Sequence, residues 1–128
     1  MYGFSTVFSG SYEEAIDRVT AELQKEGFGV LTEIDVQTTL KAKLGVEKRP
    51  YKILGACNPS YANQALDLDP DLGLLLPCNV VVREEDDKSV TVAFMDPKSV
   101  LDLVNRPEVE ALGMEVREKL RRVCDAIS

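Results

Sequence analysis

Asn79-Val80-Val81-Val82-Arg83-Glu84-Glu85-Asp86-Asp87-Lys88-Ser89-Val90-Thr91-Val92-Ala93-Phe94-Met95 is the clearest structural signal in the chain. Two Val-rich runs, 79–84 and 89–95, have the β-branched composition of strands, and the charged stretch Glu85 to Lys88 between them suits a hairpin turn. The chain therefore contains at least one pair of adjacent antiparallel strands.

Upstream, Tyr51 to Cys57 returns as a strand after Pro50, and Phe28 to Ile34 reads as another. Tyr2 to Ser9 alternates, with Phe4, Thr6 and Phe8 on one side, and makes a fifth. Ser11-Tyr12-Glu13-Glu14 is a capping box opening a helix over 11–26, whose apolar stripe is Ala15, Ile16, Val19 and Leu23 and which Gly27 terminates. Asp35 caps a second helix carrying Val36, Leu40 and Leu44 before Gly45. Pro107 begins the last helix, 107–127, striped by Val109, Leu112, Val116, Leu120, Val123 and Ile127, with Gly113 as a weak point. Asn58-Pro59 and Asp96-Pro97 each start a short helix, the first of which ends before Asp69-Pro70.

The expected class is α+β, with order β-α-β4-α and short inserted helices. A helix between the first two strands implies that they run parallel, and the handedness of crossovers then sets the first strand beside the last. The sheet is expected in the order 1-5-4-3-2, mainly antiparallel, with helices 11–26 and 107–127 on one face. The central strands are too apolar for a water-facing sheet, so the second face calls for a cover, either a second subunit or the segment 58–77 folded across it.

At 128 residues, 45% hydrophobic and 29% charged, residues 1–128 are read as a single domain with a core of its own. A net charge of -7 repels nucleic acid and anionic membrane surfaces. The stretch Leu72 to Val82 is too short to span a bilayer, and the N-terminus lacks the pattern of a signal peptide, so a cytoplasmic location is expected. With no His and no Trp, chemistry would have to run on thiols, carboxylates, lysines or backbone. Asp67, Asp69 and Asp71 have the spacing that opens a calcium loop, yet Leu72 stands where the glycine belongs and Cys78 where the bidentate Glu belongs. Glu33 has no acid or base partner, and the acidic runs 84–87 and 108–118 read as solvated turn and helix face.

What survives is a pair of Cys-Asn dipeptides, each beside a proline: Cys57-Asn58-Pro59 and Pro77-Cys78-Asn79. If strands three and four are antiparallel neighbours, Cys57 and Cys78 lie on one rim of the sheet, close enough to line one small pocket with both Asn side chains. The helix start at Asn58 would lower a thiol pKa there and welcome an anion. The opposing account is that these cysteines are small core hydrophobes and the asparagines are caps. Cys124, on the stripe of the last helix, is read as core.

At these residues a family resemblance becomes visible. Ile53-Leu54-Gly55-Ala56-Cys57-Asn58-Pro59, then Ala62, Ala65-Leu66 and Leu74 through Val82, closely resemble domain-of-unknown-function family 302, with Glu33-Ile34-Asp35-Val36 and Leu40 to Gly45 as its first block. The resemblance implies a small domain with an antiparallel sheet and packed helices, like the TATA-box-binding-protein architecture in outline, commonly a homodimer. It implies no settled activity and draws attention to Cys57, Asn58, Pro59, Cys78 and Asn79 without assigning them roles.

The function expected from the sequence is a cytoplasmic homodimer that binds a small molecule or protein partner near the Cys57/Cys78 rim without catalysis, cofactor or permanent metal. Two alternatives are a thiol-dependent redox enzyme or sensor using Cys57 or Cys78, and transient soft-metal binding by the two thiolates.

Overall fold

A computed structural model describes residues 1–128. The chain runs β1 (Gly3–Phe8), α1 (Tyr12–Lys25), β2 (Gly29–Asp35), α2 (Val36–Leu44), β3 (Tyr51–Cys57), α3 (Pro59–Leu68), a 3-10 helix (Pro70–Leu75), β4 (Cys78–Glu84), β5 (Val90–Met95), α4 (Pro97–Leu101), a second 3-10 helix (Asp102–Val104) and α5 (Pro107–Ile127). The five strands form one sheet in the order β1-β5-β4-β3-β2, and every neighbouring pair is antiparallel. β1 and β2 occupy opposite edges, so the parallel direction expected for them holds without direct pairing.

Local chemistry explains the element ends. Ser11 Oγ accepts from the Glu14 backbone N–H at 3.1 Å while the Ser11 N–H donates to Glu14 Oε1 at 3.2 Å, closing the capping box of α1. Gly27 ends that helix at φ +86°, a conformation that costs a residue with a Cβ. Asp35 caps α2 through a 2.9 Å bond from the Thr38 N–H. In the β4–β5 hairpin the Glu85 N–H donates to the Ser89 carbonyl at 2.8 Å. The Glu85 carboxylate accepts from Arg83 and Thr91, and these bonds, the Arg83 one foremost, hold its pKa below the ordinary value.

Strand register divides the side chains cleanly between the two faces. On one face Phe4, Phe94, Val80 and Leu54 form a row across four strands, and Thr6, Val92, Val82 and Lys52 form the next. α1 and α5 both cover this face, and Ala15, Val19, Leu23, Val116, Leu120, Val123 and Cys124 join the strand residues in the main core. The row on the other face is Ser5, Ala93, Val81, Ile53 and Ile34. Ile34 is 49% and the neighbouring Val7 61% exposed, while Ala93, Val81 and Ile53 are half-buried, so this face stays partly open.

Segment 58–77 does not fold across that open face, as the sequence had allowed. It joins the helix layer, where Ala65 and Leu72 pack with Leu101, Val109 and Leu112 in a second, smaller core. The reason is the length of α5: its C-terminal half packs on the sheet, and its N-terminal turns offer Val109 and Leu112 to Ala65 of α3. Gly113 sits where α4 crosses α5, and a Cβ there would stand 3.1 Å from the Pro97 carbonyl oxygen. The glycine that weakens the helix by propensity permits this close crossing.

Candidate functional site

β3 ends at Cys57 and β4 begins at Cys78, with Ala56 directly opposite Cys78 in the ladder. The two cysteines therefore meet on one rim, and both are free thiols. Side chains alternate along a strand, so Cys57, next to Ala56, takes the opposite side of the pleat from the position that pairs with Cys78. Cys78 is 7% exposed and belongs to the main core; Cys57 is half-buried.

Beside them is a cavity of ≈ 40 Å³. Its walls come from the sheet rim (Ala56, Cys57, Cys78), from α3 (Tyr61, Ala62, Ala65), from Leu75 to Pro77, from Met95 and Pro97, and from Leu101, Leu112 and Val116 on the helices. Of the 16 lining residues 13 are hydrophobic and none carries a charged side chain, so the cavity offers no ion pair to a ligand and no general base.

Five residues stood out in the sequence, and the cavity takes three of them. Cys57, Asn58 and Cys78 line it; Pro59 and Asn79 are exposed and do not. Asn79 is opposite Gly55, on the partly open face. Asn58 precedes α3 without capping it by its side chain. Its Nδ2 instead donates to the Glu26 carbonyl at 3.2 Å, at the C-terminal end of α1. That end is held in turn by α5, whose Arg122 pairs with the Glu26 carboxylate at 2.9 Å; the hydrogen bond from Arg122 lowers the Glu26 pKa. A Cβ on Gly27 would stand 3.0 Å from Asn58 Nδ2, so the glycine that ends α1 also makes room for this contact.

The expected activation of a thiol by the helix start is not what Cys78 experiences. Burial foremost, and the nearby Cys57 thiol second, push its pKa up from 9.0 to about 12, so it is a neutral thiol at physiological pH. Burial raises Cys124 as well. No group of three or more His, Cys, Asp or Glu side chains is arranged to hold a metal ion, and no helix is long and apolar enough to cross a membrane.

The sequence reading missed Tyr61, Met95, Leu101, Leu112 and Val116 as wall residues. Leu112 and Val116 were legible as apolar stripe, but a stripe does not say where along its length a cavity falls. Thr32 and Pro77 both close over Gly55, whose Cβ would come 2.9 Å from Pro77 Cγ and closer still to Thr32 Oγ1. Thr32 reaches this position because the β2–β3 register shifts by one residue between Val30 and Thr32, leaving Leu31 69% exposed.

The sequence and the two-layer α+β fold both match a known family. The chain belongs to the family described as Domain of unknown function DUF302, whose profile matches residues 4–127. It is similar to the crystal structure of an uncharacterized conserved DUF302 protein from Bacillus stearothermophilus, at 28% identity and a TM-score of 0.93, over 100% of this chain and 99% of that one. Among curated proteins, none matches the sequence.

Proposed function

We propose that this protein is a non-catalytic cytoplasmic binding module that takes a small molecule, or an apolar group of a protein partner, at the Cys57/Cys78 rim. The observation that carries the reading is the cavity itself, a concave apolar site with few polar groups and no charged wall. A nucleophilic or redox role is less well supported, because catalytic thiols need a neighbouring cation or base and Cys78 is instead buried and neutral. Mapping amide shifts of the labelled protein against a fragment library tests this. Hits are expected to cluster on Ala56, Cys57, Cys78 and Tyr61, and hits confined to other surfaces would refute it.

The same proposal includes a homodimer formed through the partly open sheet face. It is supported by the apolar row Ala93, Val81, Ile53 and Ile34, which continues to the sheet edge. Sedimentation should give a dimer for the native chain and a monomer for Val81→Arg. A native monomer at micromolar concentration would remove the dimer and leave the rim site untouched.

A further inference from the structure

We propose that the rim cavity admits a small, uncharged, apolar molecule by displacement of segment 58–77, which roofs it; this deepens the binding reading above and rests on it. The cavity lies on a seam. Ala56, Cys78 and Val116 on one side belong to the main core, and Ala65, Leu101 and Leu112 on the other to the smaller one. Tyr61 packs against both. The two cores, both served by α5, thus meet along the cavity, and a seam between two packed clusters opens with less loss of contact than the interior of either.

Segment 58–77 leaves the sheet at Cys57 and returns to it at Cys78, so both of its ends are at the cavity. Its hydrogen bonds to the rest of the chain join Asn58, at its start, to the Glu26 carbonyl and the Leu68 carbonyl, near its middle, to Arg106 at 2.6 Å, and Lys119 lies over the Tyr61 ring. On either side of Leu68 the attachment is apolar, through Ala65 and Leu72. This is the construction of a strap: its ends are fixed by β3 and β4, and over the cavity it rests on apolar side chains such as Ala65, which an apolar ligand replaces like for like.

The wall chemistry selects the ligand. A charged molecule would lose its hydration and find no opposite charge. Nothing buried awaits a polar one either, since every buried side-chain nitrogen and oxygen already has a hydrogen-bond partner. The volume then decides what must move. At ≈ 40 Å³ the cavity is far below the ~150 Å³ that accommodates a benzene ring, so a single heavy atom enters as it stands and a ring enters only when the strap shifts.

Toluene and benzoate share a ring and differ in charge, which makes them the deciding probes, with xenon as the probe small enough to need no opening. On the ¹⁵N-labelled full chain, toluene is expected to shift the amides of Ala56, Cys78 and Leu112 and those along 58–77, and to bind about a hundredfold more tightly than benzoate. Its affinity should not change with salt. Xenon should shift the wall amides and leave those on the outer surface of 58–77 unmoved. Ala62→Phe, which fills the cavity, should abolish toluene binding, and Ala62→Leu should weaken it should the larger residue impair folding. Equal binding of toluene and benzoate, or toluene shifts that persist unchanged in the folded filled variant, would overturn the proposal. If no apolar probe binds while charged fragments still contact Cys57 and Cys78, the rim site stands and its assignment to apolar ligands falls.

Discussion

Alkylation with iodoacetamide at about pH 8 is expected to label Cys57 and to spare Cys78. Only the thiolate attacks, so the rate follows the thiolate fraction and the access of the reagent. Raising the Cys78 pKa from 9.0 to about 12 cuts its thiolate about a thousandfold at pH 8, before its 7% exposure slows the reagent further. Cys57, half-buried at the end of β3, is more open to the reagent than Cys78. Intact-mass spectrometry should therefore show one adduct forming long before a second, with peptide mapping assigning it to Cys57. In denaturant all three thiols should react at comparable rates. The same shift predicts a pH dependence of stability. The folded chain holds the Cys78 proton more tightly than the unfolded chain, so between about pH 9 and 12 the unfolded state binds fewer protons and stability falls as pH rises; below 9 this group contributes no slope. The full effect is about 4 kcal/mol, visible as a steeper alkaline loss in the native chain than in Cys78→Ala. Labelling of Cys78 at the rate of Cys57 in the folded protein would show that burial does not govern this thiol, and the argument against thiol chemistry at Cys78 would fail with it.

Three substitutions test the packing around the site. Gly55→Ala drives a methyl into Thr32 and the Pro77 ring and should destabilise by about 1–3 kcal/mol in urea titration, with Thr32→Ala in the same background restoring part of the loss; an unchanged midpoint would mean that neither side chain lies over Gly55. Asp96 is 8% exposed, caps the Lys98 N–H at 3.0 Å and pairs with Arg117 at 3.0 Å, so Asp96→Ala should cost about 1–2 kcal/mol and Asp96→Asn, which keeps the cap, less. Leu120 is fully buried where α5 meets the sheet, and Leu120→Ala should cost about 2–5 kcal/mol by the same measurement.

The order of elements was legible because local chemistry wrote it. Ser11 and Glu14, Asp35, and Pro107 mark helix starts through bonds or backbone angles confined to a few neighbouring residues, and all three helices begin there. The Val-rich runs and the charged turn between them produced the β4–β5 hairpin for the same reason. The order β1-β5-β4-β3-β2 followed from chain connectivity and handedness. Asn58 was misread by the same logic: its position before Pro59 is that of a cap, but the carbonyl it reaches belongs to Glu26, 32 residues earlier, and no local pattern registers that partner.

Where helices and strands begin, which side of each is apolar, and that the ends of β3 and β4 share a rim are thus properties readable from the residues alone. Long-range packing set the N-terminal turns of α5 against segment 58–77, left the second sheet face partly open, and brought together the residues that line ≈ 40 Å³ of apolar space. Periodicity reports which direction a side chain faces relative to its own backbone. A cavity is the misfit between several such faces brought from Ala56, Tyr61, Leu101 and Leu112, and its size depends on distances that no one segment contains.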